Sequence, residues 1–268
     1  MKKLDLRGKW TLVTGASAGL GSRLTALLAR KYGSNVLAVA RREDRLNALR
    51  DELRDTGVEI VPLVADLCDP DAPRRVFEQA TAGRDVHGVV LNAGITYYGA
   101  AMSLGFDAFD RMLATNVSSV YKLSQLFAGH LTERQTNGGM LFVSSLASFA
   151  PMPYQSAYGA TKSFITSYGR SLGYELRGTG VSVTVFAPGG IATEMLDLSG
   201  LSAKFKPTDS GIMSAERCAE LALSAFARRA PFYIPGGLNR VLATLLKMAP
   251  HEVVLPSIAR LYTPPRND

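Results

Sequence analysis

Seven short apolar runs, each followed by a stretch patterned as a helix or a turn, constrain this chain more than any single motif. They are Trp10–Val13, Asn35–Ala40, Val58–Val64, Val86–Leu91, Met140–Val143, Val181–Ala187 and Phe232–Ile234. Polar residues interrupt them only singly, at Thr11, Asn35, Glu59, His87, Ser182 and Thr184, and most of each run is apolar, so both faces of the strands have to be covered, which is the signature of a parallel sheet between two helical layers. Between them run helix signals. Leu20, Leu24, Leu27 and Leu28 form an i, i+4, i+7, i+8 stripe, and residues 44–55 carry Leu46, Leu49 and Leu53 before Gly57 as a stop. Further helices are expected at 71–82, as one long element at 106–134, and from Tyr158 onward after the irregular segment 149–153. The fold class is therefore α/β, a doubly wound, mostly parallel seven-stranded sheet with helices on both faces. With 47% hydrophobic residues and no linker-like stretch, all of 1–268 reads as one domain.

In such sheets ligands bind beyond the carboxyl ends of the strands. Gly15, Arg41, Asp66 and Asn92 all stand at such ends. The first strand runs straight into Thr14-Gly15-Ala16-Ser17-Ala18-Gly19-Leu20-Gly21, a strand, glycine turn and helix start that can cradle a pyrophosphate on free N–H groups. The second strand ends in Ala40 where an acid would bind a ribose 2′-hydroxyl, and Arg41 and Arg42 follow, which suits a 2′-phosphate. The expected cofactor is accordingly NADP(H), favoured over NAD(H). Gly15-Ala16-Ser17-Ala18-Gly19 also matches the G-x-S-x-G elbow of serine hydrolases, but only fourteen residues precede it and no Asp-Gly follows anywhere in the chain, so that alternative is set below the first.

Tyr158 and Lys162 are four apart, on one face of a helix, with Ser145 thirteen residues before the tyrosine. A phenol beside a fixed cation is a proton donor whose phenolate is favoured by the charge. These residues, with the glycine turn, resemble the short-chain dehydrogenase/reductase family. The resemblance spans about residues 8–195: T-G-x-x-x-G-x-G at Thr14 to Gly21, N-A-G at Asn92, Ala93 and Gly94, the helix asparagine Asn116, Ser145, Y-x-x-x-K at Tyr158 to Lys162, and P-G-x-x-x-T at Pro188 to Thr193. It implies a Rossmann-like domain and an NAD(P)-dependent oxidoreductase acting on a carbonyl/alcohol pair. Tyr158 is then the general acid in reduction; Lys162 binds the nicotinamide ribose and holds the phenol's pKa down; Ser145 orients the substrate oxygen; Asn116 positions a water behind Lys162. Ile191 and Thr193, after Pro188 and Gly189, are expected near the nicotinamide carboxamide, and Asp66 and Leu67 near the adenine. An intact set of this kind argues against a fold kept only for nucleotide binding or regulation.

The substrate side is assigned to Thr96, Tyr97, Tyr98, Met152 and Tyr154, with the loop region 194–211, and suits a hydrophobic or medium-sized ketone, 3-oxoacyl and hydroxysteroid-like ones included. Residues 236–268 form a helical extension, with Leu238, Val241, Leu242, Leu245 and Leu246 at helical spacing. A flap over the pocket, a subunit contact and peripheral membrane contact are its three readings, packing on the protein itself being preferred. The net charge of +7 is spread among acids, without a basic stripe, so no nucleic acid partner is expected. Cys68 and Cys218 and three isolated histidines make no metal site. No secretory or membrane-spanning run is present, a cytoplasmic location is expected, and the resemblance implies a homodimer or homotetramer.

Overall fold

The computed structural model describes residues 2–264 except 207 and 210. Seven strands form one sheet: β1 (Trp10–Thr14), β2 (Asn35–Ala40), β3 (Ile60–Val64), β4 (Val86–Leu91), β5 (Gly139–Val143), β6 (Ser182–Phe186) and, after a separate pair, β9 (Phe232–Tyr233). The separate pair is β7 (Gly190–Ala192) with β8 (Ile212–Ser214), a small parallel ribbon that no hydrophobic run announces. The sheet order is β3-β2-β1-β4-β5-β6-β9 and every pairing is parallel. The order reverses between β1 and β4, which opens a crevice beyond their carboxyl ends.

The helices are α1 (Gly19–Arg30), α2 (Glu43–Glu52), α3 (Ala72–Thr81), α4 (Phe106–Leu113), α5 (Ser119–Glu133), α6 (Ser156–Glu175), α7 (Glu194–Leu198), α8 (Ala215–Ala227), α9 (Gly237–Met248) and α10 (His251–Tyr262). Adjacent strand residues point to opposite layers, and both layers are dry. Leu12, Leu37, Val89 and Met140 pack with side chains of α3, α5 and α6, while Val13, Ala38, Val90 and Leu141 pack with α1, α2 and α8. Each buried leucine in these layers contributes about 1.5–3 kcal/mol over an exposed one.

The long helix expected at 106–134 is in fact two, α4 and α5, joined by a π turn at Ala114–Ser118. The extra residue in that turn brings Asn116 fully inside, where its amide takes up both main-chain groups of Ile95: Ile95 N–H donates to Oδ1 and Nδ2 donates to Ile95 C=O, each at 2.8 Å. The helix signal after β2 stops short in a similar way. It ends at Glu52, a three-residue turn follows, and Gly57 takes the left-handed φ of 72° that closes it.

The extension folds back as α9 and α10. Ala243 is its buried anchor, against Phe149 and Ala187. Of the apolar stripe read from the sequence, Leu246 is partly buried, whereas Leu238, Val241 and Leu245 face outward with Met248. No helix among the described residues is long and apolar enough to cross a membrane, and those residues contain no cluster of metal-binding side chains.

Candidate active site

A cleft of about 1050 Å³ lies across the carboxyl ends of β1, β4 and β5. Its floor is the glycine turn. Thr14 does not line it; the Thr14 hydroxyl donates to Val90 C=O and receives the N–H groups of Asn92 and Ala93, while Asn92 Nδ2 donates to Thr14 C=O. These bonds clamp β1 to β4, leaving Gly15, Ser17, Gly19, Leu20 and Gly21 along the cleft wall. The clamp tolerates no side chain. A Cβ on Gly21 would stand 2.0 Å from Gly15 O, and one on Gly15, where φ is +70°, would stand 3.0 Å from Ala93 Cα. No side chain caps α1, so its first N–H groups stay available to an anion. A backbone brought this close, with uncapped donors, fits a dinucleotide pyrophosphate.

At one end of the cleft stand Arg41 and Arg42. Arg42 donates from Nε and Nη2 to Ser17 Oγ, both at 3.4 Å, and pairs through Nη1 with Glu194 at 3.3 Å. Arg41 acts instead on Asp66, whose carboxyl lies below its ordinary range: burial works against this, and the Cys68 backbone N–H and thiol, then Arg41 and Arg111, outweigh it. Asp66 and Leu67 line the cleft, as do Ala93 and Gly94.

Ser145 follows β5, and Tyr158 and Lys162 stand on the first and second turns of α6; all three line the cleft. Lys162 is 4% exposed and donates to Val143 C=O at 3.0 Å. Its Nζ lies 5.7 Å from the Tyr158 ring centre. Burial pushes the Tyr158 phenol up to about 12, with Ser145 pulling the other way through a hydrogen bond and Tyr262 adding slightly to the rise. Burial also takes the Lys162 ammonium down to about 8, which leaves it mostly protonated at neutral pH. Asn116 stays behind this wall, outside the cleft lining; besides clasping Ile95 it donates to Thr161 Oγ1 at 3.0 Å, fixing α6 from the rear. A Cβ on Gly94 would sit 3.5 Å from both Asn116 Oδ1 and Lys162 Nζ, so the N-A-G turn is packed against both.

Pro188, Gly189, Ile191 and Thr193 line the same cleft. Of the five side chains assigned to the substrate, Thr96 and Met152 do so as well. Tyr97, Tyr98 and Tyr154 stand outside the lining: the Tyr97 hydroxyl is spent on Ala100 C=O, Tyr154 takes a φ of 63° and its carbonyl receives Gly99 N–H, and the Tyr98 hydroxyl is buried. Their places are taken by Leu198, Leu201 and Phe205 from the 194–211 region and by Leu242, Leu246, Ile258, Leu261 and Tyr262 from the extension. Phe205 and Tyr262 meet with ring centres 5.3 Å apart, so the two segments close on each other over the apolar end. Several polar residues went unread in the sequence, Gln155 and Arg45 among them. Gln155, 5% exposed, lines the cleft and donates to Thr96 Oγ1 at 3.3 Å, with no pattern to betray it. Arg45 joins Arg42 on Glu194, and its place three residues after Arg42 was a readable helix-face signal.

Ser17, the elbow serine of the hydrolase alternative, bonds to a guanidinium, and no histidine lines the cleft. That arrangement offers no general base for a serine nucleophile.

Residues 9–201 match the family model described as short chain dehydrogenase. An uncharacterized oxidoreductase of Myxococcus xanthus is 37% identical over 194 residues, 71% of this chain and 75% of that one. A 7beta-hydroxysteroid dehydrogenase of Collinsella aerofaciens is 33% identical over 190 residues, 70% of this chain and 71% of the relative. Among solved structures, a short-chain dehydrogenase from Sphingobium yanoikuyae in complex with NADPH superposes with a TM-score of 0.80 at 27% identity, covering 97% of each chain.

Proposed function

Since the chain belongs to the short-chain dehydrogenase/reductase family, we propose that it reduces a hydrophobic or medium-sized ketone with NADPH. The observation that carries this reading is a single cleft that joins a glycine cradle and an arginine end to Ser145, Tyr158 and Lys162, and then to an apolar chamber. A bound nicotinamide dinucleotide supplies, or in the reverse direction accepts, the hydride. What the chain's own residues do follows from their environments.

Tyr158, its pKa raised to about 12, is a neutral phenol at physiological pH, which is the protonation state a proton donor to a ketone oxygen requires. Ser145, whose Oγ is oriented by Ala147 N–H at 3.1 Å, offers the second hydroxyl toward the oxygen on which charge develops. Lys162, fixed by Val143 C=O, presents its remaining N–H donors toward the ribose. Asn116 is a positioning residue: through Ile95 and Thr161 it holds two walls of the cleft in place.

Two guanidiniums at the anion end favour a 2′-phosphate over a free hydroxyl. The NADPH-bound Sphingobium structure supports the same choice. The apolar chamber, with Met152, Phe205, Leu246 and Ile258 on its walls, supports a substrate with a large hydrocarbon body, and the hydroxysteroid dehydrogenase relative points to that class. A homo-oligomer belongs to this reading, since Phe106, Tyr121 and Tyr174 leave aromatic faces exposed on α4, α5 and α6.

The test is NADPH oxidation against a panel of cyclic and long-chain ketones, with Tyr158→Phe as the control. The variant is expected to bind NADPH as the wild type does and to lose about a hundred- to ten-thousand-fold in kcat. Unimpaired turnover by Tyr158→Phe would overturn the acid assignment.

A further inference from the structure

The arginine end of the cleft already holds an anion, and that anion is part of the chain. The Glu194 carboxylate takes Arg42 Nη1 on Oε2 at 3.3 Å and Arg45 Nη1 on Oε1, while the other two donors of Arg42 reach Ser17 in the glycine turn. Hydrogen bonds and charge from Arg45 and then Arg42 hold the Glu194 carboxyl below its ordinary range, so it is ionised at neutral pH. One of the two N–H groups of Arg42 Nη1 is aimed at this carboxylate, so an anion arriving on that edge of the guanidinium meets a negative charge already seated there. Glu194 is also the first residue of α7, whose Met195, Leu196 and Leu198 line the cleft. The anion end and the apolar lid are therefore joined by one residue.

We propose that Glu194 is a built-in competitor for the 2′-phosphate of NADPH, released from Arg42 and Arg45 when the phosphate arrives and carrying the start of α7 with it. The inference rests on the NADPH reading above. It makes Glu194 a specificity-determining residue outside the catalytic set, one that lowers affinity for the phosphorylated cofactor and leaves the unphosphorylated one alone. The exchange is favourable because a phosphate monoester carries about −1.5 to −2 charges at neutral pH against one on a carboxylate, and can take an arginine bidentately where Glu194 makes one contact with each. It is also easily reversed. The pairs are open to solvent, with side-chain exposures of 42% for each arginine and 47% for Glu194, and exposed ion pairs are weak and sensitive to salt.

The experiment is calorimetric binding of NADPH and of NADH to the wild type and to Glu194→Gln, which keeps the side chain's shape and removes its charge at an exposed position. Expected is an NADPH affinity about three- to tenfold tighter in the variant, larger at low salt than at high, with NADH changed less than twofold. Hydrogen exchange gives a second readout: α7 amides in the wild type should differ between the NADPH and NADH complexes, and the difference should vanish in Glu194→Gln. Weaker binding of both cofactors by the variant would make the carboxylate a strap across the bound dinucleotide and overturn the proposal. An unchanged NADPH affinity would overturn it too. A Glu194→Gln variant that still binds NADH as tightly as NADPH removes the cofactor reading itself, and the competitor with it.

Discussion

The two ends of the cleft are built by different means. The nucleotide end is made of main chain: glycines pressed against carbonyls, the Thr14 and Asn92 clamp, and the uncapped start of α1. The substrate end is made of apolar side chains delivered by segments far apart in the chain, with Phe205 meeting Tyr262 across the opening. A wall of main chain has no room to adjust, because its neighbours are fixed by the sheet; a wall of side chains can repack. The first kind is intolerant of a single methyl group. The second kind should accept many sequences and, with them, many substrates.

A matched pair of substitutions tests that contrast most severely. In Gly21→Ala the new methyl group would meet Gly15 O at 2.0 Å, and main chain on both sides must move, so the expected loss is about 3 kcal/mol or more of stability together with dinucleotide binding. Gly237→Ala, at the start of α9, meets nothing within 4 Å and has no positive φ. It should leave melting temperature unchanged or raise it, the gain being about 0.4–1 kcal/mol. Equal losses at the two positions would mean that the extension is as rigidly specified as the glycine turn.

Lys162 sits where the two ends meet, and it shows the cost of the site to the fold. Its pKa is taken from 10.5 down to about 8, a difference worth roughly 3 kcal/mol of destabilisation when the ammonium is charged. The penalty is complete below pH 8. Between pH 8 and 10.5 the unfolded chain keeps a proton that the folded chain releases, so wild-type stability gains with rising pH from this group. Lys162→Met removes the penalty but forfeits the charged bond to Val143 C=O, worth about 1.5–3 kcal/mol, so at pH 7 the variant should be more stable by up to about 1.5 kcal/mol while losing turnover. Urea titrations at pH 7 and pH 10 check it: the advantage must shrink at the higher pH. A variant less stable at pH 7 would show that the ammonium's hydrogen bonds outweigh its burial.

The same division explains what the sequence disclosed. The parallel sheet and the glycine turn were legible because continuous apolar runs and glycine spacing leave few alternatives, and Gly15, Gly21, Asn92, Ser145, Tyr158 and Lys162 line one cleft. The π turn at Asn116 was not, since Ala114–Ser118 is as compatible with α-helix as its flanks and only the Ile95 clasp forces the extra residue. Nor was the pKa balance, which depends on how deeply Lys162 is buried and not on its spacing from Tyr158. The substrate wall was half legible. Tyr97 and Tyr98, just after the N-A-G turn, and Tyr154, two residues after Met152, drew attention as aromatics, whereas the lining comes largely from 196–205, within the 194–211 region assigned to the substrate, and from 242–262, whose apolar spacing marks a buried face without naming the side chains that reach the cleft.

Tyr98 gives the finest measure of the difference. Its hydroxyl is buried and finds no hydrogen-bond partner among the described residues, and burial, with Tyr154 adding to it, raises its pKa. The ring's δ carbon lies 3.9 Å from where a Cβ on Gly200 would stand, so the side chain supports the lid from behind, and the oxygen contributes nothing visible to that role. An unpaired buried hydroxyl costs about 1–3 kcal/mol relative to a paired one, and its removal with the ring retained forfeits no bond. Tyr98→Phe should therefore keep kcat and KM within about twofold and hold or raise stability by up to ~1 kcal/mol. Had Tyr98 been a substrate contact, loss of its hydroxyl would raise KM about tenfold or more with stability unmoved, since a site built to hydrogen-bond a substrate discriminates strongly through that bond. Ketone kinetics and a thermal melt on this one variant decide whether the aromatic cluster beside the N-A-G turn is scaffold for the side-chain wall or part of its recognition surface.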